Sequence, residues 1–226
     1  DDTYIYLQYA RSIIEHGEIS FNSGEPTYGF TSPLWLILIT LIVKITGSYF
    51  QTPHLLTLSF SVLTIVIWFF IINKSSLKPT IKYLMLLVIA LDPNLLKHSY
   101  LGMEASASFF FSSFLILILL NYNIKYIKIY LPVIFGFYFL IRPESILIYL
   151  TVIFILFVTR IIDAKDVLII FAITIFIITP WIIFSWSYFG SPLSTTFAAK
   201  GGSYSWGSKL FTNLFDSIKI FFGNYL

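Results

Sequence analysis

The sequence predicts an all-α membrane protein: six to seven transmembrane helices with an external amphipathic helix and an external loop. Three observations predict it. The chain is 58% hydrophobic and 11% charged, with a mean hydropathy of +0.86, whereas an average soluble domain carries roughly 25% charge. Runs such as 55–72 and 167–186 reach the ~20 apolar residues that cross a bilayer. The runs are also apolar all round, whereas a membrane β-barrel needs strands that alternate apolar and polar residues.

Residues 1–32 form the most polar long stretch and are expected to be the first extracytoplasmic loop. Within it, 1–17 has the marks of a helix, with acids at the start that suit the helix dipole and Gly17 at the end. Asp2, Tyr6, Tyr9 and Ile13 share one face, and Arg11 and Glu15 form an i,i+4 pair elsewhere, as in a helix lying on a membrane surface. Segment 21–33 is dense in Gly, Pro, Ser and Asn and predicts an ordered loop. Seven apolar runs follow, at 33–48, 55–72, 81–97, 105–120, 124–141, 146–159 and 167–186.

Lysine and arginine in short loops orient such a chain, because positive charge collects on the cytoplasmic side. Lys74, Lys78 and Lys82 mark one turn, Lys125 and Lys128 a second, and Arg160 and Lys165 a third. All three are cytoplasmic if two crossings separate each from the next. The opposite turns carry Gly102-Met103-Glu104, Arg142-Pro143-Glu144 and 192–200. Parity then places residues 1–32 on that outer side only if one of the first two runs does not cross. The short run 33–48, which begins at Pro33 and contains Lys44, is expected to be re-entrant or surface-lying, the alternative being that it spans and 81–97 does not. Residues 49–190 are the transmembrane core, and 191–226 an extracytoplasmic loop and amphipathic helix.

Composition also excludes function classes. A net charge of +3 spread over many loops is not the clustered basic face that binds nucleic acid. With no cysteine, disulfides, iron–sulfur ligation and thiol catalysis are ruled out. His16, His54 and His98 stand far apart, without a zinc-binding spacing. The chain opens at Asp1 without Met, so a fragment of a longer parent is expected.

Several charged groups could carry chemistry. Asp1 and Asp2 are adjacent carboxylates at a helix start beside the membrane, where acids also serve as ordinary caps. Glu104 and Glu144 lie at the ends of apolar runs, and charges there either face water, anchor the interface or serve a site. Arg142 and Lys200 are cations on the outer side, against the usual bias. A lipid phosphate would hold them there; pairing of Arg142 with Glu144 or Glu104 is the plainer alternative. Outer aromatics such as Tyr28, Tyr100 and Trp181 suit an interfacial belt, with a few available to stack on a sugar.

The string DDTYIYLQYARSIIEHGEISFNSGEPTYGFTSPLW at 1–35 closely resembles the opening external loop of integral-membrane, C-type glycosyltransferases, in particular the group that includes cell-wall arabinofuranosyltransferases. Three later strings resemble the same group in the same order. LGMEAS (101–106) is similar to its Gly-Leu-Glu-Thr segment, IRPES (141–145) to its Arg-Pro-Glu segment, and LSTTFAAK (193–200) to its Leu-Pro-Asn-Thr-x-x-Ala-Lys segment. Met103 replaces the usual Leu, and Ser194-Thr195 stands where Pro-Asn is usual.

The resemblance implies a C-type transmembrane core and a polyprenyl-phosphate-sugar donor. It also implies an acceptor hydroxyl on an extracytoplasmic glycan, lipid or protein, and inversion at the anomeric carbon. Asp1 or Asp2 would be the general base. Arg142, Lys200, Glu104, Glu144, Thr196 and Tyr28 would bind substrate and donor phosphate. A divalent cation (Mg, Mn or Ca) on Asp2 and Glu104 is left open. The rival readings are a transporter or lipid flippase, and a non-catalytic membrane scaffold related to such enzymes. A transporter predicts polar residues in mid-span and an internal repeat, and neither is visible in the sequence.

Overall fold

The computed structural model describes residues 2–120 and 124–196 of the chain, and these are mostly helical. The elements are α1 (Asp2–His16), β1 (Ser20–Asn22), β2 (Glu25–Pro26), α2 (Pro33–Thr46), α3 (Gln51–Asn73), α4 (Pro79–Ala90), α5 (Pro93–His98), α6 (Ala105–Leu120), α7 (Ile124–Ile141), α8 (Ile146–Val158) and α9 (Ala164–Phe189), with a single 3-10 turn at Pro143–Ser145 before α8. Two of them, α3 with 23 residues and α9 with 26, are long and apolar enough to cross a membrane.

Several of the other apolar helices are shorter than a full membrane crossing needs. Helices α4, α6 and α8 hold 12, 16 and 13 residues, about 18–24 Å at ~1.5 Å per residue, against a hydrocarbon core of ~30 Å. Proline breaks one of these segments and ends another. The run 81–97, expected as one segment, is broken between α4 and α5, where Pro93 has no N–H to give and Asp92 caps the new helix by accepting from the Asn94 and Leu95 amides. Pro143 likewise forces Arg142 out of α7 into extended backbone, with φ −146°. Segment 21–33, expected to be a loop, contributes all of β2 and most of β1 to a small antiparallel hairpin turned through Gly24 at φ +84°.

Packing defines two ends. Lys82 donates to the Asn73 carbonyl between α3 and α4, and Lys128 of α7 pairs with Asp166 at the start of α9. These groups gather at the lysine-bearing end over a core of Leu131, Phe135, Tyr149 and Ile170. At the opposite end Tyr6, Tyr9, Tyr28, Phe30, Trp35 and Leu36 form a second core, against which Trp181 and Phe189 of α9 pack. Helix α1 lies across this second end: Thr3 donates to the Leu101 carbonyl, and just beyond its C-terminus the Ile19 amide donates to Tyr188. Its buried face carries Tyr6 and Tyr9, as the sequence pattern predicts.

Both ends of α2 meet the same end of the bundle. Pro33 borders a cavity with Pro143 and Ser194, and Thr46 lies 3.4 Å from Thr52 at the start of α3. At 14 residues, α2 is about 21 Å long.

Candidate functional site

The four strings singled out in the sequence converge on this second end. The first joins the second through the Thr3 hydroxyl, 2.7 Å from the Leu101 carbonyl. Gly102, at φ +73°, packs so closely on Thr3 that an added Cβ would sit 2.8 Å from its methyl group. A side chain there meets both backbone strain and a clash, so the start of α1 is held within two residues of Glu104.

Glu104, beside the first turn of α6, is buried. The Arg142 guanidinium approaches it at 3.6 Å and joins the second string to the third. Burial pushes the Glu104 carboxyl above its usual range, the nearby Glu144 adds to that, and Arg142 opposes it. Its Oε2 has no hydrogen-bond partner. Burial also raises the Tyr6 phenol, and the Glu104 charge reinforces the shift. Buried polar atoms with their hydrogen-bonding capacity unspent collect on the same side: Ser32 Oγ before α2, Ser145 Oγ after Pro143, and His98 Nδ1 at the end of α5. His98 is depressed first by burial, then by Lys97 and Arg142. Unspent groups of this kind are costly in a finished core and serve where a polar ligand completes them.

The fourth string docks onto the first through backbone. The Thr195 amide and hydroxyl both donate to the Tyr28 carbonyl, at 2.8 and 2.9 Å, and the Thr196 hydroxyl donates to the Gly29 carbonyl at 3.1 Å. Tyr28 is buried, with its ring stacked on Phe189 at 4.9 Å and its hydroxyl accepting from Trp181 Nε1. Its face is spent on Phe189, so it serves as a wall and not as a platform for a sugar.

Between these strings lies a cavity of about 450 Å³. Its walls are predominantly apolar, from Phe139, Leu147, Trp181, Ile182 and Leu193, and Glu144 supplies a charge beside Thr31. An apolar cavity with a few convergent polar groups is the usual form of a small-molecule site.

Of the predicted site residues, Glu104 and Arg142 are in contact, and Tyr28, Glu144 and Thr196 belong to the same end. Asp1 and Lys200 lie outside the described residues, and Asp2 is described only as the first residue of α1. Sequence reasoning missed Tyr6, Ser32 and His98. Tyr6 was legible only as part of a buried helix face, and nothing in spacing sets His98, six residues before Glu104, beside Arg142. Among the described residues no group of three acidic or histidine side chains gathers, and the Asp2 carboxylate, the other group expected to hold a divalent cation with Glu104, lies outside what is described.

No family model matches the chain, and neither a search of curated proteins nor one of solved structures finds a match.

Proposed function

We propose that the protein is a multi-pass membrane glycosyltransferase that moves a sugar from a polyprenyl-phosphate donor to an acceptor hydroxyl outside the cytoplasm. The observation that carries this reading is the convergence of four strings, far apart in the chain, on one end of the bundle around a buried acid, Glu104, paired with the exposed guanidinium of Arg142, and an apolar cavity. A transporter needs a polar path through the bundle. Here the acids Glu104 and Glu144 stand at the ends of helices, and the other end closes over an apolar core.

Membrane crossing is supported by the outward faces of the helices. Leu58, Val62 and Phe70 of α3, Leu147 and Phe154 of α8, and Phe176 and Ile183 of α9 are exposed, in an array far larger than water tolerates and suited to lipid. With α2 starting and ending at the site-bearing end, residues 1–32 stay on that side while the lysine-rich turns take the cytoplasmic side.

In this reading Asp1 or Asp2 accepts the proton of the acceptor hydroxyl as its oxygen attacks the anomeric carbon. The bond from that carbon to the phosphate oxygen breaks, the configuration inverts, and the polyprenyl phosphate leaves as an anion. Arg142 and Lys200 stabilise the developing phosphate charge. Glu144 accepts from sugar hydroxyls, and the cavity walls at Leu147, Trp181 and Leu193 take the first isoprene units. Glu104 holds Arg142 in place.

The test is photo-crosslinking of the full-length protein in nanodiscs with a polyprenyl phosphate that carries a diazirine near its phosphate. Adducts are expected at Leu147, Trp181 or Leu193. Adducts confined to the outward faces of α3 and α4 would overturn the assignment.

A further inference from the structure

Helices α6 and α7 are joined by a polar seam that the donor cavity and its walls do not account for. The Ser108 amide donates to the Glu104 carbonyl at 3.0 Å, and the Arg142 amide to the Tyr138 carbonyl at 2.7 Å, so both charged residues continue the helical ladders beside them. Glu104, Ser108 and Ser112 therefore follow one another a turn apart on one face of α6, and Tyr138 and Arg142 do the same on α7. The two faces meet twice. Glu104 faces Arg142 at 3.6 Å, and one turn further along, the Tyr138 hydroxyl lies 2.9 Å from Ser108 Oγ and 2.7 Å from Ser112 Oγ.

The second contact is the more firmly built. Tyr138 is buried, its ring is stacked on Phe111 at 5.7 Å, and its hydroxyl can donate to one serine and accept from the other. Helix hydroxyls elsewhere turn back onto the carbonyl one turn before, as those of Thr40, Ser59, Thr64 and Thr174 do. Ser108 and Ser112 reach across to α7 instead. At Gly136, α7 is also pressed against α9, where an added Cβ would lie 2.6 Å from Ile177. Apolar helices in lipid gain little by choosing one register over another, because lipid is as apolar as they are. The serine–phenol bonds supply the choice. The contact at Glu104 lacks such support: Arg142 is 45% exposed, and its Nε stands 3.6 Å from the carboxylate, longer than a good hydrogen bond. The place of the guanidinium then follows from how far α7 is advanced along α6.

We infer that the Tyr138 hydroxyl, held between Ser108 and Ser112, fixes the register of α7 against α6 and so delivers Arg142 to the donor phosphate, which makes Tyr138 a positioning residue for the transfer. The inference rests on the transferase reading for the phosphate, and on the hydrogen bonds alone for the register.

The test uses the full-length protein in nanodiscs, with polyprenyl phosphate as the probe. Tyr138→Phe keeps the stacked ring and removes the hydroxyl; Ser108→Ala combined with Ser112→Ala removes its partners. Each should weaken polyprenyl phosphate binding about threefold to tenfold, the range of a lost hydrogen bond. In an Arg142→Ala background Tyr138→Phe should cost nothing further, because a residue that acts through the guanidinium has nothing left to position. An equal loss in that background, or unchanged affinity in Tyr138→Phe where Arg142→Ala does weaken binding, would overturn the inference. A second readout needs no donor. The Glu104 carboxyl has Arg142, Glu144 and Tyr6 as its charged and titratable neighbours, and its infrared band is identified by its loss in Glu104→Gln. In Tyr138→Phe it should take up its proton at a higher pH, as the guanidinium withdraws. A titration unmoved by Tyr138→Phe would overturn the register lock whatever the affinities. Polyprenyl phosphate binding as tight in Arg142→Ala as in the parent would instead overturn the phosphate assignment, and the infrared titration would still decide the register.

Discussion

Replacement of Asp1 or Asp2 by Asn in the full-length protein is expected to abolish sugar transfer while leaving expression and donor binding intact. A hydroxyl is a weak nucleophile, and a carboxylate that takes its proton during attack contributes roughly 100-fold or more. An amide of the same shape keeps the hydrogen bond and loses the basicity. One of the two variants should therefore lose about two orders of magnitude in kcat with little change in donor affinity. Initial rates with a supplied polyprenyl-phosphate sugar decide this. Two single variants with near wild-type turnover would remove the acidic pair from the chemistry.

Loss of Arg142 should have the next largest effect. Arg142→Ala removes a charge-assisted contact worth roughly 1.5–3 kcal/mol, so donor binding should weaken about tenfold to 150-fold, with acceptor binding nearly unchanged. Lys200→Ala is expected to act in the same direction. Arg142→Ala also leaves Glu104 buried without the guanidinium that lowers its carboxyl, so Glu104 should then take up a proton at a higher pH. The double variant Arg142→Ala with Glu104→Gln separates the two consequences. It should restore stability, because no unpaired charge is buried, and it should not restore donor affinity. Titration with polyprenyl phosphate measures the affinity and thermal unfolding the stability. Recovery of donor binding in the double variant would mean that Arg142 serves Glu104 alone.

Helix boundaries were the most legible part of the fold, because hydropathy and turn residues both mark them. The run 105–120 became α6 with the same limits, and the acid-to-glycine pattern of the first seventeen residues became α1 and its Gly17 end, at φ +72°. Hydropathy misled where local chemistry overrode it. Asp92-Pro93 reads as a helix start, yet it lies within an apolar run, and its capping hydrogen bonds break the segment in two.

The site was legible as a set of strings and charges, but not as a set of contacts. The Arg142–Glu104 pairing was one of two options the sequence left open, since both acids are near in topology and only packing chooses between them. The docking of Thr195 and Thr196 onto residues 28 and 29 depends on backbone carbonyls, which every residue has, and so leaves no trace in composition. Tyr28 illustrates the same limit. An aromatic near a boundary could be a platform or a wall, and the stacked Phe189 makes it a wall.

The most direct measurement is turnover by the reconstituted full-length protein with a set of polyprenyl-phosphate sugars, following release of free polyprenyl phosphate and the anomeric configuration of the product. The account predicts release that depends on an acceptor hydroxyl and is lost in the Asp-to-Asn variants, with inversion at the transferred carbon. Retained configuration, or movement of intact donor across the bilayer with no sugar transferred, would contradict it.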